Sequence, residues 1–154
     1  MDIASPVTEP HAIVPDFPGF LARIGQKLPA HCILTRVDQT RVYECDGLSL
    51  YRELPPVVVL PENEAQVIEL LKACHEHNVP VVPRGSGTSL SGGATPHPQG
   101  VVIGLAKLNR IVRLDPETCM AVVGPGVRNL AISEAAAPHG LYYAPDPSSQ
   151  IACS

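Results

Sequence analysis

A mixed α+β domain with a parallel strand–helix–strand unit is what this sequence predicts, and three observations carry the prediction. Short β-branched runs at Val57-Val58-Val59-Leu60 and at residues 79–83 flank an amphipathic stretch, the order of a βαβ unit. A Gly-rich loop follows the second run and leads into a third, Val101-Val102-Ile103-Gly104-Leu105. Beyond it, Ile111-Val112-Arg113-Leu114 and Met120-Ala121-Val122-Val123 bracket Asp115-Pro116-Glu117 as a hairpin, so antiparallel pairing is expected as well.

Residues 1–16 contain Pro6, Pro10 and Pro15 without periodicity and are expected to form a loose arm. Over residues 18–28, Phe20, Leu21, Ile24 and Leu28 recur at helical spacing, and Pro29 is the expected stop. Residues 36–55 mix polar and apolar types and read as a connection. The run at Val57 is bounded by prolines and reads as a buried strand. Asn63 with Gln66 forms a capping-box pattern. The helix it starts is expected to reach about His77, with Val67, Ile68, Leu70, Leu71 and Cys74 on one face and Glu69, Lys72 and Glu76 on the other. Asn78 is the expected stop. The Ala-rich residues 127–137 read as a helix ended by Pro138 and Gly140. Two units are therefore expected, 1–54 as an arm and helix leading in and 55–154 as the domain proper. The chain stops at Ile151-Ala152-Cys153-Ser154 without a polar tail, and it is expected to be the N-terminal part of a longer protein.

Composition narrows the function classes. With 45% apolar and 17% charged residues the chain is globular. A net charge of −4, 4% aromatics and no basic stripe argue against a nucleic-acid partner. No apolar run approaches the roughly 18 residues a membrane span needs. The first residues lack the basic and apolar regions of a signal peptide. Five cysteines without C-x-x-C spacing argue against a disulfide framework or a zinc ribbon, and reduced, mostly buried thiols in a cytoplasmic protein are expected. His75 and His77 lie roughly 160° apart around a helix axis and cannot chelate together. His11, His31, His97 and His139 are isolated in the sequence. No metal site is expected.

The chemistry concentrates in residues 83–94, Pro-Arg-Gly-Ser-Gly-Thr-Ser-Leu-Ser-Gly-Gly-Ala. Gly85, Gly87, Gly92 and Gly93 permit close backbone approach, Arg84, Ser86, Thr88, Ser89 and Ser91 supply donors, and nothing is acidic. Such a loop cradles a phosphate or pyrophosphate with main-chain N–H groups. The dinucleotide fingerprint G-x-G-x-x-G fails at Leu90, and Pro96 and Pro98 preclude the helix it requires. The P-loop fails at Gly93-Ala94, where Lys and Ser/Thr should stand.

Residues 83–93 resemble instead the pyrophosphate loop of FAD-linked oxidases of the vanillyl-alcohol oxidase type, which carry a PCMH-type FAD-binding domain. The resemblance extends, in order, to Val59-Leu60-Pro61-Glu62-Asn63-Glu64-Ala65-Gln66-Val67, Gly124-Pro125-Gly126-Val127, Pro145-Asp146-Pro147-Ser148-Ser149 and Cys153-Ser154. It implies a PCMH-type fold, here the N-terminal βαβ subdomain and the start of a second subdomain. It implies FAD as cofactor, with Pro83, Arg84, Gly85, Ser86, Gly87, Thr88, Ser89, Leu90 and Ser91 at its diphosphate. Pro145, Asp146, Ser148, Ser149, Cys153 and Ser154 would line the other side, near the pyrophosphate and flavin. Gly124 and Gly126 either let the backbone pass the cofactor or form a plain strand-end turn. Tyr43-Glu44-Cys45-Asp46 and the Ser-Leu-Ser-Gly-Gly wording are most similar to the glycolate oxidase and D-lactate dehydrogenase branch. That branch implies a small 2-hydroxy acid as substrate, glycolate oxidised to glyoxylate, and electrons passed from reduced FAD to an acceptor. It also implies partner subunits of a glycolate oxidase complex and a cytoplasmic protein held peripherally at the inner membrane through them. The alternatives are another FAD oxidase of the same fold or a non-catalytic nucleotide-binding fragment. The catalytic base and the substrate residues are expected in later segments.

Overall fold

The computed structural model describes residues 14–145 and 147–154. The arm over residues 1–13, His11 and Asp146 lie outside the described residues. Helix α1 (Phe17–Gly25) starts at Asp16, whose Oδ1 accepts the Gly19 N–H at 3.0 Å. It ends short of the expected Leu28. After Gly25, a poor helix former, the Lys27 and Leu28 amides both turn back to the Ile24 carbonyl, at 3.0 and 2.8 Å. Pro29 then precedes a 3₁₀ turn (Ala30–Cys32) and a two-residue strand, β1 (Ile33–Leu34). That strand is too short to carry a period in the sequence. The connection read over residues 36–55 holds one helical turn, α2 (Val37–Thr40), continued as a 3₁₀ turn (Arg41–Tyr43).

The βαβ unit follows as β2 (Val57–Val59), α3 (Glu64–Glu76) and β3 (Val81–Arg84), and then comes β4 (Val101–Gly104). The sheet order is β1-β2-β4-β3, so β2 and β3 are parallel but not neighbours: β4 lies between them, parallel to both, while β1 is antiparallel to β2. Residue chemistry explains the order. All four residues of β4 are buried, which suits an interior strand. Pro83 of β3 has no N–H, which suits an edge.

In α3, Asn63 Oδ1 accepts the Gln66 N–H at 3.0 Å, and Gln66 Oε1 reaches back to the Glu62 N–H at 2.7 Å. Asn78 ends the helix in the left-handed region, at φ 55°. The apolar face is narrower than expected. Leu70, Ala73 and Cys74 are buried, whereas Ile68 and Leu71 are each 46% exposed. Only the stripe squeezed between the sheet and α1 is covered. The core is one cluster of Phe20, Ile24, Leu28, Val57, Val59, Leu70, Ala73, Cys74, Val79, Val101 and Ile103. Residues from before position 55 thus share a core with those after it. Downstream, β5 (Ile111–Asp115) and β6 (Met120–Val123) form the expected hairpin, with an irregularity between Ile111 and Arg113. Helix α4 (Asn129–Ala136) runs into a 3₁₀ turn that Gly140 ends at φ 69°.

Two expectations are corrected. The thiols are free, but only Cys32 and Cys74 are buried; Cys45 and Cys153 are half-buried and Cys119 is exposed. Burial pushes the Cys74 thiol up to about 12. His31 is not isolated, because a segment distant in sequence brings it a carboxylate, and His77 at the end of α3 meets one as well. His31 Nε2 lies 2.9 Å from Glu62 Oε1, and His77 Nδ1 lies 2.9 Å from Asp16 Oδ2. Among the described residues no helix is long and apolar enough to cross a membrane.

The Asp16 carboxyl is held below its ordinary range, first by the Gly19 N–H and then by His77. Its folded value lies below its unfolded one, so its contribution to stability is present above the unfolded value, about 3.9, and is lost as pH falls through the folded value. Asp16→Asn keeps a capping oxygen but cannot titrate. The Tm gap between the unmodified chain and Asp16→Asn is therefore expected to shrink on acidification; a gap independent of pH would contradict this.

Candidate functional site

Strand β3 delivers the Gly-rich loop from its carboxyl end. The last sheet bond runs from the Leu105 N–H to the Arg84 carbonyl at 2.8 Å, and the chain then turns through Gly87 at φ 71° and Gly92 at φ 77°. Such angles are open to glycine and strained for other residues. Among the described residues no protein acceptor takes the amides of residues 86–90. Further along, the Ser91 N–H bonds Ser89 Oγ at 3.2 Å and the Gly92 N–H bonds Asp46 Oδ2 at 3.0 Å. Consecutive unpaired amides at a sheet end make an anion-binding concavity.

The facing wall is the segment 147–154, held in place by α4. The Asn129 and Leu130 amides at the start of α4 donate to the Cys153 and Gln150 carbonyls, at 2.8 and 3.1 Å. Asn129 Nδ2 donates to the Pro145 carbonyl at 3.0 Å. The segment thereby satisfies helix amides that would otherwise lack partners. It is tied to the loop by the Ser86 hydroxyl, which donates to the Ala152 carbonyl and lies 3.0 Å from Ser154 Oγ.

The two sequence-predicted segments, more than sixty positions apart, therefore meet. Between them lies an open groove of about 430 Å³ lined by Pro83, Gly85, Ser86, Gly87, Thr88, Ser89, Gly93, Ala94, Ser149, Cys153 and Ser154. The other candidates sit elsewhere. Arg84 is behind the loop, its Nη1 donating to the Cys45 carbonyl at 2.7 Å and its guanidinium 5.6 Å from the Tyr43 ring centroid. Leu90, Ser91, Pro145 and Ser148 are exposed outside the groove lining. Asp146 lies outside the described residues. Gly124 and Gly126 are explained by the chain itself. A side chain at Gly124 would strike the Leu108 carbonyl, and one at Gly126 those of Leu105 and Ala106. They close a strand-end turn, as one of the two expected readings had it.

Asp46 is a residue whose role sequence reasoning did not find. It is 5% exposed, and its carboxylate accepts from the Leu48 N–H at 2.8 Å as well as from Gly92. The only local signal is Asp46-Gly47, which reads as a turn. A second cluster, His31, Cys32 and Glu62, has ligand atoms within 4.8 Å of one another. Lys107 Nζ already lies 2.9 Å from the Glu62 oxygen that His31 contacts, so a cation is supplied there by the chain. Lys107 and His31 together hold the Glu62 carboxyl below its usual range. Burial raises the Cys32 thiol, against the thiolate a metal needs.

The groove suits a diphosphate. Its lining contains amides and hydroxyls, no acidic side chain and no guanidinium, the donor set that solvates a fixed anion without a metal. A family model described as an FAD binding domain matches residues 55–154. The chain is 53% identical over 134 residues to the glycolate oxidase subunit GlcD of Escherichia coli strain K12, covering 87% of this chain and 27% of that protein. It is 38% identical over 96 residues to a D-lactate dehydrogenase of Archaeoglobus fulgidus, covering 62% and 21% respectively. A crystal structure of p-cresol methylhydroxylase with substrate bound superposes with a TM-score of 0.72 at 26% identity, over 84% of this chain and 27% of that one. The chain thus spans about a quarter of the length of the relatives it matches.

Proposed function

We propose, from the premise that this chain belongs to the FAD-binding domain family and has its PCMH-type α+β fold, that the groove between residues 83–89 and 149–154 seats the FAD diphosphate. The observation that carries the proposal is the run of amides over residues 86–90 without a protein acceptor among the described residues, beside a groove that residues 86–89 line and that has no acidic side chain. The Thr88 and Ser89 hydroxyls add neutral donors, the Ser86 hydroxyl ties the loop to Ala152, and Ser149, Cys153 and Ser154 close the far side. Residues 55–154 are the cofactor-binding unit and residues 1–54 its lead-in. Bound FAD supplies a two-electron acceptor for oxidation of an alcohol to a carbonyl.

In the whole protein the substrate is a small 2-hydroxy acid, with glycolate oxidised to glyoxylate and the electrons passed from reduced FAD to an acceptor. The GlcD relative supports glycolate, and its name as a subunit supports partner subunits in the same complex. Through such partners a cytoplasmic protein would sit at the inner membrane.

The test is anaerobic mixing of the purified whole protein with glycolate or D-lactate, read in the visible flavin band. Glycolate is expected to bleach it faster than D-lactate. Faster bleaching by D-lactate moves the assignment to a D-lactate dehydrogenase, a reading the Archaeoglobus relative favours. A flavin that neither acid bleaches overturns the substrate class.

A further inference from the structure

We infer that residues 43–47, which precede the matched residues 55–154, brace the phosphate loop from behind, and that Asp46 and Arg84 are positioning residues instead of cofactor ligands. The functional half of this inference rests on the diphosphate reading of the groove.

Five successive amides without acceptors do not hold one orientation unaided, because the loop relaxes by turning them toward any nearby oxygen. In this chain the opposite ends of two of those peptides are packed against a neighbouring segment. A side chain on Gly47 would lie 2.9 Å from the Ser89 carbonyl oxygen and 3.0 Å from that of Thr88. The backbone of residue 47 therefore runs directly under both carbonyls. In a trans peptide the C=O and the following N–H point in opposite directions. With the Thr88 and Ser89 carbonyls against the brace, the Ser89 and Leu90 N–H groups face away from it.

The charged groups fix this arrangement at both ends of the loop. Asp46, buried beside an anion site, would repel the ligand if its charge were free. Instead each of its oxygens accepts a main-chain N–H, from Leu48 at 2.8 Å and from Gly92 at 3.0 Å, which pins the end of the loop. Arg84 pins the start. Its guanidinium fills the space where a Gly87 side chain would stand, donates to the Cys45 carbonyl at 2.7 Å and rests over the Tyr43 ring. It supports Gly87 from below and does not line the groove.

The test uses the whole protein with Asp46→Asn, Arg84→Ala, Tyr43→Leu and the Tyr43→Leu/Arg84→Ala double variant, with Tm as the folding control. FAD and ADP, which share the diphosphate, are titrated at low and high salt. Exchange of the Gly92 amide is followed without any ligand. Asp46→Asn and Arg84→Ala are each expected to weaken FAD and ADP by the same factor, about tenfold, the scale of one hydrogen bond to a charged group. The double variant is expected to bind no worse than Arg84→Ala, since both changes break one contact. Asp46→Asn is expected to speed exchange at Gly92. An Arg84→Ala defect that fades at high salt, with Tyr43→Leu binding normally, would make Arg84 a direct ligand and overturn its positioning role. Unchanged Gly92 exchange would overturn the brace whether or not FAD binds. An unmodified protein that takes up no FAD overturns the cofactor reading, and the exchange result then decides the brace alone.

Discussion

Gly87→Val is expected to abolish FAD uptake, with affinity falling at least about a hundredfold, or roughly 2.7 kcal/mol. Two effects combine. Gly87 sits at φ 71°, where any L-residue with a Cβ pays on the order of 1–2 kcal/mol and a β-branched one more. The new Cβ would also occupy the position of the Arg84 guanidinium and drive it off the Cys45 carbonyl. The loop would lose its conformation and its rear support in one change. Flavin absorbance after incubation with FAD and gel filtration reads the result, with far-UV circular dichroism to show that the sheet persists. Uptake equal to that of the unmodified protein would refute the assignment of the loop. Because Gly87 lies on a loop at the end of an edge strand, overall stability is expected to suffer far less than binding.

Phe20→Ala is expected to have the reverse profile, a loss of about 3–5 kcal/mol in stability, the range for emptying a large buried aromatic site. Phe20 is 0% exposed, and its ring meets that of Phe17 edge to face with centroids 6.2 Å apart. It belongs to the cluster that includes Leu70 of α3 and Val59 and Val101 of the sheet. Helix α1 is bound to α3 at its surface as well, by Arg23 to Glu69 at 3.1 Å and to Glu76 at 3.3 Å. Urea unfolding measures the effect. A change below about 1 kcal/mol, the scale of an ordinary surface substitution, would mean that α1 is an appendage and not part of the core.

Much of the fold was legible because it is written in local pattern. The β-branched runs at Val57, Val79 and Val101 became strands because apolar residues crowded between turn signals have few other solutions. Asn63 and Gln66 started α3, Asn78 and Gly140 ended their helices, and the hairpin turned at Asp115. Strand β1 was invisible, since two residues hold no period and the strand exists only through its pairing with Val58 and Val59. The apolar face of α3 was drawn too wide because hydropathy states what can be buried, while burial depends on what lies opposite. Among the described residues, Ile68 and Leu71 are only about half covered.

For the proposed site, the Gly-rich loop stood out by residue type, while Cys153-Ser154 entered through the family resemblance. Glycines that permit close approach, beside hydroxyls and without acids, have a chemistry that does not wait for a fold. The division of labour within the loop had to come from three dimensions. Arg84, the one charged residue of the Gly-rich loop, reads as a phosphate ligand in one dimension, yet its side chain turns toward Cys45 and Tyr43 some forty positions earlier. Asp46 reads as a turn residue and proves to hold Gly92. Gly124 and Gly126 read equally as space for a ligand or as a strand-end turn, and the packed chain decides for the turn. Residue identity sets which chemical groups are present and what they can bind. Direction, partner and burial are properties of distances between segments far apart in sequence, and only the packed chain sets those distances.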